Sequence, residues 1–325
     1  MNNTRKEYID IYRGIGILCM VIGHLYIGFI FDKFSHAFHM PMFFFVTGYF
    51  FTLKNEKDFF WGKVKTLLVP YCIFGIINIL IYSIIQNVDC ITMLKHLFWV
   101  NTEGLYDVGA VWFLTSLFWA SMIYFLLRKM IKNKILLLLL VVMVSVLGNV
   151  MSIFGGYRLP WSLDAAFVAV GFIYIGNIVR ENEENEIIRA LLNVKPIFLI
   201  ILIVIDLGLI FINGYINMRT GEYSNVVLFW LAACVSIVVL WNLAKMLCHS
   251  RYRIVNGGSK CLQYIGRNSI VFLCLNQIII CALGEVLPNF NMYIKKAIVF
   301  AITIPCLVLI NEAITRTKLK VIIGK

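Results

Sequence analysis

Arg13 and His24 lie eleven positions apart in the first apolar run, DIYRGIGILCMVIGH over 10–24. At about 100° per residue, eleven steps make roughly three helical turns, so the two side chains share one face. They stand about 16 Å apart along the axis, around half the hydrocarbon thickness of a bilayer. Asp10 falls on the same face, where it can pair with Arg13 or favour the positive end of the helix dipole. Ionisable groups within a span face protein or a wet cavity and are candidates for function. Histidine is scarce, with five in the chain, yet His24, His36 and His39 fall within sixteen residues. An imidazole is the usual base for deprotonating a hydroxyl near neutral pH. A metal site is the lesser reading of this trio, because no Asp or Glu completes a recognisable ligand set. Simpler roles stand beside these: Arg13 as a headgroup anchor, His24 and His39 as hydrogen-bond partners, His36 as a loop residue.

The elements that must hold these groups are membrane helices. The chain of 325 residues is 61% hydrophobic and 14% charged, with a mean hydropathy of +0.87. Continuous apolar runs recur along its length, which excludes an ordinary soluble enzyme and the alternating pattern of a membrane β-barrel. An all-α polytopic protein of about ten transmembrane helices is expected, near 11–31, 38–53, 66–86, 109–127, 135–153, 162–179, 196–213, 226–245, 262–283 and 294–314. Pro41 is placed to start the short second helix, since its missing N–H would be unpaired there.

With the N-terminus inside, twenty-three Lys and Arg fall in inner segments and six in outer ones. That asymmetry predicts cytoplasmic termini. It also assigns the net charge of +12 to topology and lipid headgroups, with no nucleic acid involved. The first run reads as a retained span and not a signal peptide. A single domain over 1–325 is expected, without a separate soluble part. The acidic run over 181–186 reads as a solvated loop. Nine cysteines, most within apolar runs, suggest no disulfide framework.

The N-terminal stretch continues into FHMPMFFFVTGYFF over 38–51. Further on come WFLTSLF over 112–118, LPWSLD over 159–164, NGYINMRTGEY over 213–223 and YIGRNS over 264–269. In this order the segments resemble the acyltransferase 3 family of integral membrane acyltransferases, in its fucose 4-O-acetylase-related branch. The resemblance implies a membrane O-acyltransferase, with acetyl-CoA as the acyl-donor substrate and no resident cofactor. It implies an acceptor hydroxyl on a cell-surface or envelope glycan. On that reading Arg13 holds CoA phosphate with help from Asp10 and Arg267, His24 is the general base or is itself acylated, and His39 assists. Trp161, Tyr157, Asp164 and Arg219 are the expected acceptor contacts, although rings and carboxylates at these positions also suit interfacial belts and helix ends. Arg267 equally suits a positive-inside anchor.

One position departs from the family pattern. Where relatives often carry a His after the GRNS element, this chain has Asn276, an amide that cannot act as a base at neutral pH. The base is therefore expected at His24 and a polar lining role at Asn276. Asp206, in the middle of the seventh run, has no partner visible in the sequence. Bacterial origin and the plasma membrane follow from the resemblance, with membrane lipids and polysaccharide synthesis machinery as expected partners. The main alternative is a transporter of a small solute or of the acylated product. A third is a scaffold for polysaccharide synthesis.

Overall fold

The computed structural model describes residues 6–105, 107–155, 158–288 and 291–324. The chain is an all-α polytopic membrane protein. Among the described residues the only β pairing is a single antiparallel bridge between Asn217 and Glu222. Eight stretches are long and apolar enough to cross a membrane: Glu56–Gln86, Gly109–Met130, Lys134–Ser152, Pro160–Glu181, Pro196–Asn213, Val226–Cys248, Ser269–Val286 and Met292–Thr315. Each corresponds to one of the later eight apolar runs.

The first two runs depart from their expected bounds. Helix α1 (Glu7–Gly23) stops just before His24, well short of residue 31. Tyr26 follows in a left-handed conformation at φ 50°, and Gly28 at φ 150° turns the chain into α2 (Phe29–His36). His36 thus ends a helix and does not sit in a loop. The second run narrows to α3 (His39–Tyr49), with Pro41 in its first turn, where the missing N–H costs nothing.

A further helix, α4 (Glu56–Lys63), runs through a π-helical stretch, Val64–Leu68, into α5 (Val69–Gln86). Pro70 cannot donate to the preceding turn, and the widened turn lies directly before it. Between the expected helices over 66–86 and 109–127 lies a further helix, α6 (Cys90–Phe98). Then come α7 (Trp112–Met130), α8 (Lys134–Gly155), α9 (Leu163–Glu181), the short α10 (Glu186–Leu192), α11 (Pro196–Asn213) and α12 (Val226–Cys248). The run expected over 262–283 is broken at Asn268 into α13 (Arg253–Arg267) and α14 (Ser269–Val286). Asn268 lies outside helical geometry, with its side-chain amide donating to Tyr264 O at 3.0 Å. Finally α15 (Met292–Thr315) completes the set.

Helices α1 and α3 form the interior of the bundle. Helix α1 packs on α12, α13, α14 and α3, while α3 packs on α9. Glycines let the backbones approach. A Cβ on Gly14 would overlap the Leu262 carbonyl of α13, and one on Gly266 would overlap the Asp10 carbonyl of α1. Gly48 and Gly176 make the same reciprocal contact between α3 and α9. Without a hydrophobic drive between helices in lipid, such close van der Waals packing supplies the association energy. It holds α1, with Arg13 and His24, rigidly among its neighbours.

Candidate active site

His24 caps the C-terminal end of α1, its backbone N–H bonding to Met20 O at 3.0 Å. Directly beyond it, Tyr26 and Gly28 reverse the chain so that α2 passes beside α1. Gly23 makes the approach feasible, because a Cβ there would meet Ser35 Oγ at 3.3 Å. The reversal brings His36 and His39 to His24, and all three imidazoles line a cavity of about 100 Å³. The His36 and His39 rings meet edge to face with centroids 4.9 Å apart. His36 Nδ1 lies 2.9 Å from Asp32 O and 3.0 Å from Asp32 Oδ1. His39 Nδ1 lies 2.6 Å from Ser35 O. His24 Nδ1 instead reaches across to α14, 2.5 Å from Asn276 Oδ1.

The rest of this cavity comes from the segment between α11 and α12. Tyr215, Asn217 and Arg219 line it. Arg219 is accommodated because Gly109 leaves room that a Cβ would fill, and its Nη2 donates to Leu105 O at 2.5 Å. Burial and the nearby Asp32 carboxylate push the Tyr215 hydroxyl above its ordinary range, so it remains a proton-bearing donor. Gln277 lines the cavity too. Its Oε1 accepts from the Ala110 backbone N–H at 2.7 Å, which leaves its NH₂ group as the donor. His24, Tyr26 and Gln277 also border a second, more open cavity of about 340 Å³. That cavity carries Asp107, Glu285, Lys295 and Lys296 on its walls.

Arg13 opens into a different cavity, of about 190 Å³, shared with Thr47 and Ser269. Its guanidinium lies over the Phe50 ring, 5.5 Å from the centroid. Ile17, Phe43 and Phe113 line this cavity, whereas Met20, Met40 and Trp112 line the one at His24. The same three helices therefore wall both spaces, about a turn apart.

The remaining sequence candidates are distributed as follows. Asp10 and Arg267 are brought together, Arg267 Nε donating to Asp10 Oδ2 at 3.0 Å. Asp164 is buried in an ion pair with Arg158 at 2.6 Å, away from the imidazoles. Trp161 is held by two backbone partners, its Nε1 donating to Phe98 O at 3.1 Å and its N–H to Trp99 O at 2.8 Å. Tyr157 lies outside the described residues. Asp206 accepts from Ser236 Oγ of α12 at 2.7 and 2.9 Å, which explains how it resides mid-helix. Sequence reasoning missed Asp32, Tyr26, Tyr215 and the part played by Gln277. For Gln277 a signal existed, since two adjacent amides at 276–277 interrupt an apolar run. The others depend on the fold of the 24–36 and 213–225 segments.

Among the described residues, no group of three or more His, Cys, Asp or Glu side chains is arranged to hold a metal ion. The arrangement offers imidazole nitrogen, guanidinium and amide donors around a small space. Such groups can move a proton and stabilise a developing oxyanion.

Neither the curated proteins nor the solved structures contain a significant match to the chain. The profile of the Acyltransferase domain family, Acyl_transf_3, matches residues 6–312, which takes in α1 through most of α15. The chain belongs to this family of membrane acyltransferases.

Proposed function

We propose that the protein is an O-acyltransferase moving acetyl from cytoplasmic acetyl-CoA to a hydroxyl of an envelope glycan on the opposite side. The observation that carries this reading is the pair of cavities along one face of α1, one holding Arg13 and the other His24. Arg13 and His24 stand about 16 Å apart along the helix axis, a span that suits an extended pantetheine arm. Arg13, with Arg267 nearby on the same basic end, holds CoA phosphate bidentately at the mouth. The thioester then arrives between the cavities.

His24 takes the proton of the acceptor hydroxyl as the oxygen attacks the thioester carbonyl. The C–O bond forms and the carbonyl pair moves onto oxygen, near the Gln277 amide and Arg219. Collapse breaks the C–S bond, and the departing CoA thiolate takes the proton back from the imidazolium. His39 and the Tyr215 hydroxyl position the acceptor. The carboxylates of Asp107 and Glu285 offer oxygens for sugar hydroxyls in the adjoining cavity. A bacterial plasma membrane is the proposed location, in contact with polysaccharide synthesis machinery.

The test is label transfer from radiolabelled acetyl-CoA in inside-out vesicles supplied with a crude envelope-glycan extract. Wild type should label the glycan fraction with stoichiometric thiol release, and His24→Ala should not. Equal background in both proteins, with solute flux in proteoliposomes, would replace this reading with transport.

A further inference from the structure

We propose that Asn276 is a positioning residue, which holds the His24 ring with Nδ1 protonated and so leaves Nε2 as the nitrogen that acts as base. This rests on the reading of His24 as the base, and concerns what makes one particular nitrogen of that ring basic.

The Asn276 amide fixes the direction of this contact. Its two ends look alike in shape, so its orientation follows from its partners. Asn276 Nδ2 lies 2.9 Å from Phe272 O and 2.8 Å from Leu273 O. Both are carbonyl acceptors, and only the NH₂ end can serve them. The other end, Oδ1, must then be what faces His24 Nδ1 at 2.5 Å. An amide oxygen accepts and cannot donate, so Nδ1 carries the hydrogen. In the neutral ring the hydrogen sits on one nitrogen at a time, and Nε2 keeps its lone pair.

Asn276 is fully buried, at 0% exposure, so no bulk solvent stands ready to replace it. It belongs to α14 and lies 252 positions from His24. His36 and His39 reach a similar state locally, each through Nδ1 close to the carbonyl four residues earlier. His24 Nδ1 instead faces an acceptor on a different helix. During transfer, the hydroxyl O–H bond breaks and its proton bonds to Nε2, while Nδ1–H continues to donate to Oδ1. The proton then leaves Nε2 for the CoA thiolate. Asn276 never touches the reacting atoms. It keeps the ring from turning or from presenting Nε2–H, which could accept nothing.

The experiment combines rates with a direct view of the ring. Wild type, N276L, N276D and H24A would be assayed with radiolabelled acetyl-CoA and the crude envelope-glycan extract. In parallel, ¹⁵N-histidine NMR in nanodiscs would report which His24 nitrogen bears hydrogen, with H24A assigning the signal. The expected wild-type spectrum shows Nδ1–H and a bare Nε2. N276L should lose at least about 30-fold in maximal rate with the KM for acetyl-CoA unchanged, and its His24 should show Nε2–H. N276D, which retains an acceptor oxygen, should keep Nδ1–H and recover most of the rate. A wild-type ring with Nε2–H would overturn the proposal even if N276L failed to fold, as would an N276L variant with wild-type rate and tautomer. If H24A is itself active, the reading of His24 as the base fails. If H24A is inactive while N276L is fully active, Asn276 alone loses its role.

Discussion

At the Arg13 end of α1 the cavity wall is apolar except for Arg13, Thr47 and Ser269, whereas at the His24 end polar groups predominate, from α1, α2, α3, α14 and the 213–225 segment. A wall of the first kind suits a thin, flexible arm whose charge stays at the entrance. A wall of the second kind suits hydroxyl recognition and proton transfer, because each polar group is oriented by another. The ion pairs differ in the same sense. On the basic end, Lys6, Arg180 and Glu183 pair near the surface, and Arg267, which pairs with Asp10, is 38% exposed. At the opposite end Arg158 and Asp164 pair at 8% and 1% exposure. The basic end is held adaptably, and the far end is locked.

This contrast can be broken at several points. His24→Ala removes the proposed base and should cut acetyl transfer about 10³-fold, measured as glycan labelling, with expression and melting unchanged. Asp164→Asn leaves the Arg158 guanidinium buried without its counter-charge. It should lower stability by about 3 kcal/mol or more, read as a fall in melting temperature in detergent. Because Arg158 also donates to the Arg219 carbonyl, the same variant should lose activity through the wall of the His24 cavity.

Smaller effects are expected at the basic end. Arg13→Gln should raise the KM for acetyl-CoA about tenfold, equivalent to ~1.4 kcal/mol, with little change in maximal rate. Arg13→Lys should recover only part of this, since an ammonium cannot bind phosphate bidentately. Glu183→Gln should cost less than about 1 kcal/mol. Burial raises the Glu183 carboxyl, but hydrogen bonds from Tyr49 and Lys6 and the charges of Lys6 and Arg180 outweigh it and leave it below its ordinary 4.5. A carboxyl depressed in the folded state stabilises above its unfolded value and loses that contribution as pH falls through the folded one. Wild-type and Glu183→Gln melting curves should therefore differ at neutral pH and converge in acid below about 4.5.

Much of this architecture is legible along the chain, and the boundary of legibility is physical. The eight long apolar runs declare themselves, because lipid demands unbroken helices of that length. Arg13 and His24 can be placed on one face from spacing alone, since one lies on α1 and the other caps its end in near-helical geometry. The end of α1 at Gly23 is harder to see, as residues 25–31 remain largely apolar and the reversal depends on Tyr26 and Gly28. The break at Asn268 is similarly hidden inside an apolar run. What spacing cannot reveal is pairing between distant segments. The contact of His24 with Asn276, of Asp10 with Arg267 and of Asp206 with Ser236 each joins separate helices. Asp164 looks from sequence like an open carboxylate, and only the fold shows Arg158 closing over it.

If donor and acceptor meet from opposite ends of α1, transfer must be sided. The protein would be reconstituted in a single orientation, with acetyl-CoA supplied to one face and the envelope-glycan extract to the other. Glycan acetylation only when acetyl-CoA meets the Arg13 end and the extract meets the His24 end is the predicted result. Acetylation with both substrates confined to the His24 end would contradict it.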